Sequence, residues 1–502
     1  MPSVRQISIL PPLGGKVRRT SLEHQSPATC YDSRDFWPVD TKTNMDRWAV
    51  RPGFLEYEDL IGATHDDVKL IATLNVAPSE TLDRVLITAS GTNVYHWTGE
   101  TKTLATMTAS IANTSRNFQA APYLGKLFIA DDTAVRLYTH TSTAVTTPTP
   151  TDGSFPTNCR LICTWANRLV CAGDTSNPHL WYMSRIGDPH SWLYAADDAS
   201  SPVAATSVDG GQIGEPITSL VPHNLACILF GSANSITVLR GNPTHGGRLE
   251  TISHVTGPVN ATAWCKTADD WKYFLTRDGL YKMPPGCGVM PTSVSREKIP
   301  QSLVGLDGVT DLVYMAYDVR FRCIHIYVTG NDAQYWHYFP EYEAFCPVTA
   351  PGSSILAVAR HDPIETATQS GVLIGTSSGL MRLDSDTALG GSSGAYWKQL
   401  IPFDRYGSQS KIVRAMLKFG DNTDDTNADV YWYAGNSAEA AAAGPVSRKA
   451  SSKVYSYQGE YAVQPGIGGS CAELHVAQNN TGSHISFEGG LLDVAQRGKA
   501  RV

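Results

Sequence analysis

The stretch CIHIYVTGNDAQYWHYF, residues 323–339, has the pattern of a β-hairpin. Its first seven residues are mostly β-branched, aromatic or small apolar residues, and its last seven end in a run of aromatic residues. Between them, Gly330, Asn331 and Asp332 are residue types that tolerate positive φ or cap their own backbone. The stretch therefore predicts two antiparallel strands joined by a tight polar turn.

The same hairpin pattern recurs along most of the chain. Six further copies are RVLITASGTNVYHW (84–97), KLFIADDTAVRLY (126–138), RLVCAGDTSNPHLWYM (168–183), CILFGSANSITVL (227–239), KYFLTRDGLYKM (272–283) and GVLIGTSSGLMRL (371–383). Most successive copies are about 40–50 residues apart, which is the length of one four-stranded propeller blade. We therefore predict an all-β fold, with a β-propeller of about six to eight blades over residues 65–405. A pair of β-sandwiches built from short strands is the alternative.

Two regions outside the repeat complete the predicted domain division. Residues 1–64 form an extended N-terminal docking segment, rich in Pro and Gly near its start. Residues 406–502 alternate apolar and polar positions, which predicts a β-rich region that is either a small β-domain or a set of blade-completing strands. Apolar runs are much shorter than the roughly 20 residues of a membrane span. We therefore expect no membrane span, and no secretory signal pattern is visible at the N-terminus.

Composition argues against several classes of protein. The 502 residues are 42% hydrophobic, enough for a packed core, and the net charge of −7 does not favour a general electrostatic grip on nucleic acid. The ten cysteines lie mostly in apolar, strand-like runs, so we expect reduced, buried thiols. Cys159, Cys163 and Cys171 form the one cluster, but the second pair of ligands that structural zinc commonly needs is missing. No metal site is predicted.

Motifs of the common enzyme classes are absent. No Gly-Lys pair is followed by Ser or Thr, as a phosphate-binding loop requires, and neither G-x-G-x-x-G nor H-E-x-x-H occurs. Residues 390–394 match G-x-S-x-G, but their flanks lack the strand and helix of a nucleophile elbow. Asp131, Asp132, Asp278 and Asp332 lie in hairpin turns, where Asp usually caps its own backbone. We predict a non-enzymatic protein without catalytic residues or cofactors.

One aromatic cluster is a candidate binding surface. Tyr335, Trp336 and Tyr338 are close enough in sequence to form a platform on which a sugar ring stacks. The competing interpretation is that they alternate between the sheet face and the interface between blades. His325 and His337 lie in similar strand runs, and we interpret them as packed side chains and not as general bases.

The start of the chain resembles a known protein family. Four short motifs follow one another, namely PLGG (12–15), YDSRDFWP (31–38), DTKT (40–43) and RPG (51–53). In this order, and followed by propeller-like hairpins and a β-rich C-terminal region, they resemble the start of bacteriophage tail proteins of the nozzle type. Each motif is unspecific by itself, so the order of all four carries the resemblance.

The resemblance implies a structural role in a phage tail. Nozzle proteins form the tip of a short tail, below the portal and adaptor rings, in a ring of about six copies through which DNA leaves without specific binding. The resemblance thus implies contacts with portal-adaptor and other tail proteins and a place in the virion, after synthesis in the host cytoplasm. Arg51, Pro52 and Gly53 are the candidate docking motif, and a fixed turn that feeds the first strand is the alternative. A glycan- or protein-binding propeller is the second functional hypothesis, and a propeller glycoside hydrolase is the third.

Overall fold

The computed structural model describes residues 4–18, 21–57, 67–76, 83–98, 103–108, 111, 118–194, 198–208, 211–286, 289–352, 354–363, 370–384, 394–403, 408–420, 427–445, 449–455, 460–478 and 484–499. Strands dominate these residues, so the predicted all-β class is confirmed. No helix within these ranges has the length and apolar character that a membrane crossing needs. The G-x-S-x-G match lies outside the described residues, apart from its last glycine.

In its described residues, the N-terminal segment contains five short strands and one short helical turn. The strands are β1 (Val4–Ile9), β2 (Asp32–Arg34), β3 (Phe36–Trp37), β4 (Trp48–Val50) and β5 (Gly53–Glu56). A 3-10 turn at Leu22–His24 lies between β1 and β2.

Seven small antiparallel sheets form the blades of the propeller in the described part of the chain. Blade 1 consists of β6 (Val68–Val76), β7 (Asp83–Ser90), β8 (Asn93–Thr98) and β9 (Thr103–Met107), and blade 2 consists of β10 (Gln119–Tyr123), β11 (Lys126–Ala130) and β12 (Val135–Thr139). Blade 3 consists of β14 (Leu161–Trp165), β15 (Arg168–Ala172), β16 (Trp181–Met183) and β18 (Val203–Ala204). Blade 4 consists of β19 (Ile217–Asn224), β20 (Cys227–Ser232), β21 (Ile236–Arg240) and β22 (Arg248–Ser253). The two-residue strands β13 (Asp152–Gly153) and β17 (Ser191–Trp192) pair with each other in parallel beside blade 3.

The remaining three blades have the same meander. Blade 5 consists of β23 (Trp264–Lys266), β24 (Lys272–Thr276), β25 (Gly279–Met283) and β26 (Thr292–Ser293). Blade 6 consists of β27 (Leu312–Asp318), β28 (Cys323–Thr329), β29 (Gln334–Phe339) and β30 (Ala344–Pro347). Blade 7 contains β31 (Ile355–His361), β32 (Gly371–Thr376) and β33 (Gly379–Asp384). The stretch 323–339 is thus the central hairpin of blade 6, as predicted. Its turn begins at Gly330, whose φ of +118° favours glycine and whose added Cβ would meet the carbonyl oxygen of Thr310.

The described residues build the propeller as a closed ring of seven blades, within the predicted six to eight. Blade 7 takes its outermost strand from the N-terminal segment, because β5 pairs antiparallel with β33. A hydrophobic cluster joins blade 7 to blade 1, with Leu373 on one side and Leu86 on the other. Equivalent clusters lie between all other consecutive blades. Each blade therefore buries both faces against its neighbours, and a terminal strand closes the ring.

The two ends of the chain together form a β-sandwich beside the ring. Its C-terminal strands are β34 (Tyr396–Pro402), β35 (Ser408–Phe419), β36 (Asn427–Gly435), β37 (Lys449–Tyr455), β38 (Glu460–Val463), β39 (Gly468–Gly469), β40 (Cys471–Gln478) and β41 (Ser486–Lys499), with one helix, α1 (Ala438–Ala442). One sheet has the order β3-β4-β41-β35-β38, with β1 also beside β41 and β39 beside β35. The other has the order β2-β34-β40-β36-β37. Three fully buried tryptophans lie in the core between these sheets: Trp48, Trp397 and Trp432.

These strand pairings cross both predicted domain boundaries. Residues 53–56, in the predicted N-terminal segment, belong to blade 7. Residues 396–402, in the predicted propeller, belong to the sandwich, where β34 pairs with β40. The physical reason is long-range pairing: a strand near the N-terminus closes the ring, and its neighbours β2, β3 and β4 pair with strands from the other end of the chain.

The cysteines follow the predicted pattern with one exception. Eight of the described cysteines are free thiols, and seven of these are buried. Burial raises the pKa of the Cys159 thiol to about 12, so it stays protonated and inert. Cys227 is disulfide-bonded, so the expectation of reduced thiols is wrong for this residue.

Candidate functional site

A cleft of about 400 Å³ lies where the N-terminal segment meets blade 6. One wall comes from the turn after β3, and the other comes from the two hairpin turns of blade 6 that follow β27 and β29. The lining residues are Trp37, Val39, Thr41, Asn44, Asp46, Arg320, Phe321, Arg322, Phe339, Glu341 and Tyr342. Two of the motifs that carry the family resemblance, at 31–38 and 40–43, therefore contribute to this wall.

The charged turn at 40–43 has a structural cause. Asp40 is fully buried, and its carboxylate accepts hydrogen bonds from the Lys42 backbone amide at 3.0 Å and the Thr43 hydroxyl at 2.8 Å. His484 Nε2 lies 3.0 Å from the same carboxylate. Asn44 completes the turn with a φ of +55°, which asparagine tolerates better than most residues. The turn is thus capped and anchored to the sandwich, which holds the cleft wall in place.

Aromatic rings form the floor of the cleft. The Trp37 ring packs edge-on against Phe321 and Phe339, with ring centroids 5.3 and 5.2 Å away. Trp37 and Phe339 are buried, whereas Phe321 and Tyr342 are half-buried and present part of their rings to the cleft. The concave surface therefore combines apolar rings with a polar rim, a composition suited to binding a peptide or a saccharide.

The charged groups on the rim are already paired. The Tyr342 hydroxyl donates a hydrogen bond to Asp46, and the Arg322 guanidinium donates to Glu341 at 3.2 Å. Arg320 stacks over the Phe321 ring, with its Cζ atom 4.2 Å from the centroid, and donates to the Leu383 carbonyl. Both carboxylates of the rim therefore already accept hydrogen bonds from side chains of the same chain.

Beneath the cleft, blade 6 buries a polar cluster, of which the sequence predicted only that the histidines are packed side chains. The Tyr327 hydroxyl lies 2.8 Å from His325 Nδ1 and 3.0 Å from His337 Nε2, and His325 Nε2 lies 3.8 Å from Asp318. Burial lowers the pKa of His325 to about 4 and that of His337 well below its usual value, so both rings are neutral at pH 7. The packed interpretation is confirmed, because all four side chains are buried.

The candidate docking motif lies inside the molecule. Arg51 is 3% exposed, and its Nε donates to Asp35 at 2.6 Å. Its other nitrogens donate to the carbonyl oxygens of Pro52 at 2.7 Å and Thr349 at 3.1 Å. Asp35 in turn accepts from the Thr349 amide at 2.7 Å and hydroxyl at 2.5 Å. The motif thus clamps the N-terminal segment to blade 6 and does not present Arg51 to a partner.

The fixed-turn interpretation of the same motif needs one correction. Pro52 is buried, and Gly53 is the first residue of β5. The turn therefore feeds a strand, but this strand is the outermost strand of blade 7 and not the first strand of the propeller. The ring closes through the N-terminal segment, which is why the motif lies next to the last blade.

The predicted sugar platform is not present. Trp336 is 5% exposed and Tyr338 is 1% exposed, and both pack in the cluster between blades 5 and 6. Tyr335 points to the other side of the sheet and is half-buried against the cluster between blades 6 and 7. Successive strand residues face opposite sides, so Tyr335 lies on one face of the sheet while Trp336 and Tyr338 lie buried on the other. The observed arrangement is therefore the competing one, in which the aromatic side chains alternate between the two faces of the sheet.

Of the turn aspartates predicted to cap their own backbone, Asp131 does so, whereas Asp132 lies 3.4 Å from the Arg160 guanidinium and Asp278 contacts another side chain. Asp131 accepts hydrogen bonds from the Thr133 and Ala134 amides at 3.0 and 2.7 Å. Asp278 accepts from the Tyr281 hydroxyl at 2.6 Å. Within the described residues no three His, Cys, Asp or Glu side chains converge as metal ligands. The cleft residue Phe321 carried no sequence signal, because only the fold brings it to the N-terminal turn.

Comparisons with known proteins concern the fold. No family model matches the chain, and no curated protein matches it. The WD40 β-propeller domain of Doa1 is 13% identical, with a TM-score of 0.40, over 66% of this chain and 96% of that one. The extracellular domain of a one component system from B. thetaiotaomicron is 12% identical, with a TM-score of 0.45, over 76% of this chain and only 45% of that one. A chain of the Mitotic Checkpoint Complex is 10% identical, with a TM-score of 0.40, over 66% of this chain and 93% of that one. The fold of this chain is a β-propeller, and these similarities carry no function.

Proposed function

We propose that this chain is a non-enzymatic structural component of a bacteriophage tail, a nozzle-like ring subunit in the virion. In this proposal, copies of the chain form a ring of about six below the portal and adaptor, and DNA passes through it without specific binding. Contacts with the adaptor and other tail proteins hold the ring in place. The ordered N-terminal motifs are the sequence feature from which the proposal starts.

The observation that carries the proposal is the interlocked N-terminal segment. Within about 25 residues it supplies β2 to one sandwich sheet, β3 and β4 to the other, and β5 to blade 7. The buried Arg51–Asp35 pair fixes this crossing point. Propeller and sandwich are thereby joined by paired strands and a shared core instead of a flexible linker. Such a two-part subunit without a flexible linker supports a structural role better than a role that needs domain motion.

Quantitative peptide mass spectrometry of purified phage particles tests the proposal. We expect the chain at about half the copy number of the portal, as a sixfold ring below a twelvefold one requires. The portal and major capsid proteins serve as internal standards, and lysate from the same infection serves as the reference for free protein. Particles that eject DNA and yet lack the chain would refute the tail assignment.

A second candidate function is recognition of a peptide or glycan through the cleft. The specific observation in its favour is the concave surface in which Phe321 and Tyr342 lie beside paired charged groups. Glycan-array binding tests it, with Tyr342→Ala as the cleft variant and Tyr281→Ala, on blade 5, as the control. Binding that the cleft variant loses and the control keeps would move this function ahead of the tail role.

A further inference from the structure

Glu473 is a buried acidic side chain that no function above uses. It lies on β40, in the five-stranded sheet of the sandwich, and is 1% exposed. Its neighbours Ala472 and Leu474 belong to the sandwich core, and successive strand residues face opposite sides, so Glu473 faces away from this core. Other segments of the chain therefore cover it and keep it from water.

The cover comes from the N-terminal segment and from α1. The N-terminal part is residues 21–31, which contain the 3-10 turn at Leu22–His24 and end at Tyr31, and we call it the N-terminal cover. Leu22 and Tyr31 pack against a small hydrophobic cluster that includes Cys471 and alanines of α1. The turn itself contains no buried residue. Little apolar burial thus holds this part of the chain on the sheet, as is typical of segments that open locally.

Glu473 differs from the other buried acids in its hydrogen bonds. Among the described residues its partner is the Tyr31 hydroxyl, which donates to Oε2 at 2.5 Å. Lys398 attracts the carboxylate but forms no ion pair with it within the described part of the chain. The other buried acids each accept a hydrogen bond from at least one backbone amide: Asp35, Asp40, Asp131, Asp174, Asp311 and Asp318.

These surroundings favour the protonated carboxyl. A carboxylate out of water needs a cation or several donors to replace its hydration, and one phenol hydroxyl supplies a single hydrogen bond. Burial accordingly raises the pKa of Glu473 from 4.5 to about 7, against smaller opposing effects of Tyr31 and Lys398. Burial and then Glu473 raise the pKa of the Tyr31 hydroxyl as well, so this group remains a donor around neutral pH.

The other titratable groups around Glu473 do not supply the missing cation. Asp32 is paired with Lys16 at 2.7 Å. Burial is the main cause that raises the pKa of Cys471 to about 12 and lowers that of His475 to about 4, so both are neutral around pH 7. The remaining groups are two exposed acids and an exposed imidazole on the turn and α1, and a phenol opposite on β36: Glu23, Glu439, His24 and Tyr433.

We propose that the N-terminal cover is controlled by a proton: it stays closed over Glu473 while the carboxyl is protonated, and it opens to water when the carboxyl ionises. The sign follows from the two environments, because the covered carboxyl binds a proton more tightly than the exposed one and closure therefore takes up a proton. The closed state is fully favoured below about pH 4.5 and loses stability as the pH rises to about 7. The inference goes beyond the tail assignment and does not depend on it.

Hydrogen exchange with mass spectrometry measures this opening in the full chain. Peptides from residues 21–31 are compared between wild type and Glu473→Gln, which stays uncharged, from pH 5 to pH 8. Intrinsic exchange rates and the effect of His24 are common to both proteins, so they cancel in the ratio of the two rates. This ratio, wild type over variant, should rise at least about tenfold across the range, since an opening coupled to one proton changes by up to about tenfold per pH unit.

Two further variants separate Glu473 from its surroundings. Glu439→Gln makes the same acid-to-amide change on an exposed residue of α1, and it should keep the wild-type rise. Tyr31→Phe keeps the ring but removes the donor to the carboxylate, so its exchange should exceed that of wild type by more at pH 8 than at pH 5. Peptides from β20, in blade 4, are the reference for global unfolding.

Several outcomes would overturn the proton-controlled cover. They are a wild-type ratio that stays flat between pH 5 and pH 8, an equal rise in the peptides from β20, and a Tyr31→Phe protein whose excess exchange is the same at both pH values. A Glu439→Gln protein that loses the rise would overturn the assignment to Glu473. The virion measurement decides the tail assignment separately, so either proposal can fail alone.

Discussion

The buried Arg51–Asp35 pair is predicted to control the stability of the junction between propeller and sandwich. The substitution Asp35→Asn removes the charge but keeps the shape of the side chain. Asparagine also tolerates the φ of +60° at this position, so the backbone adds no strain. The change leaves the Arg51 guanidinium buried at 3% exposure without its carboxylate.

The expected loss of stability follows from this burial. Removing one partner of a buried ion pair typically costs about 3–5 kcal/mol, because the remaining charge stays out of water. Arg51 keeps its hydrogen bonds to the Pro52 and Thr349 carbonyls, so we expect a loss near the lower end, about 3 kcal/mol. The matched control is Glu341→Gln, the same acid-to-amide change in an exposed pair, with an expected loss below about 1 kcal/mol.

Urea unfolding at pH 7, followed by tryptophan fluorescence, measures both variants. The tryptophans buried in the sandwich core, among them Trp48 and Trp397, report on the part of the molecule that the pair anchors. A double variant with Arg51→Met should lose less than the sum of the single losses, by more than about 1 kcal/mol. Equal urea midpoints for Asp35→Asn and Glu341→Gln would refute the reasoning, as would strict additivity in the double variant.

Three further predictions concern the blades. The pKa of buried His325 is lowered from 6.5 to about 4, so between these pH values the unfolded chain binds a proton that the native protein excludes. The contribution of His325 to the free energy of unfolding should be complete above pH 6.5 and should fall by about 3 kcal/mol towards pH 4. In His325→Phe, a pH titration of the urea midpoint should therefore be flatter than in wild type. Gly257→Ala places a methyl group against the carbonyl oxygens of Ser232 and Ser235 and should destabilise the protein by more than about 2 kcal/mol. The control Gly214→Ala, where an added methyl group meets open space, should change the thermal midpoint little. Equal thermal midpoints for the two variants would contradict the close packing at Gly257. Trp336→Ala should cost about 3–5 kcal/mol through the cavity it leaves between blades 5 and 6, and a variant as stable as wild type would show that Trp336 is not in the core.

The hairpin pattern was sufficient to predict the propeller. Strands such as β28 are short and β-branched, their turns use Gly, Asn and Asp, and both signals are local, so they are visible in the sequence. The capping role of Asp131 and the packing of His337 were predictable for the same reason. Each depends on the few residues around it.

Long-range pairing could not be predicted in this way. Nothing near Gly53 indicates that β5 completes blade 7, some 330 residues later in the chain, because any exposed strand edge offers the same backbone groups. The resemblance drew attention to Arg51 but suggested a contact with another protein, whereas Asp35 and Thr349 hold it inside. Burial of a charge is decided by distant residues, and the sequence alone does not place them.

The all-β class and the blade period follow from local propensity and alternation, so they can be predicted from the sequence. The closure of the ring, the strand set of the sandwich, and the positions of Trp336 in the core and Phe321 in a cleft depend on the folded chain. A β-strand presents two faces and two edges, and what covers each of them is settled by chain segments far away in sequence.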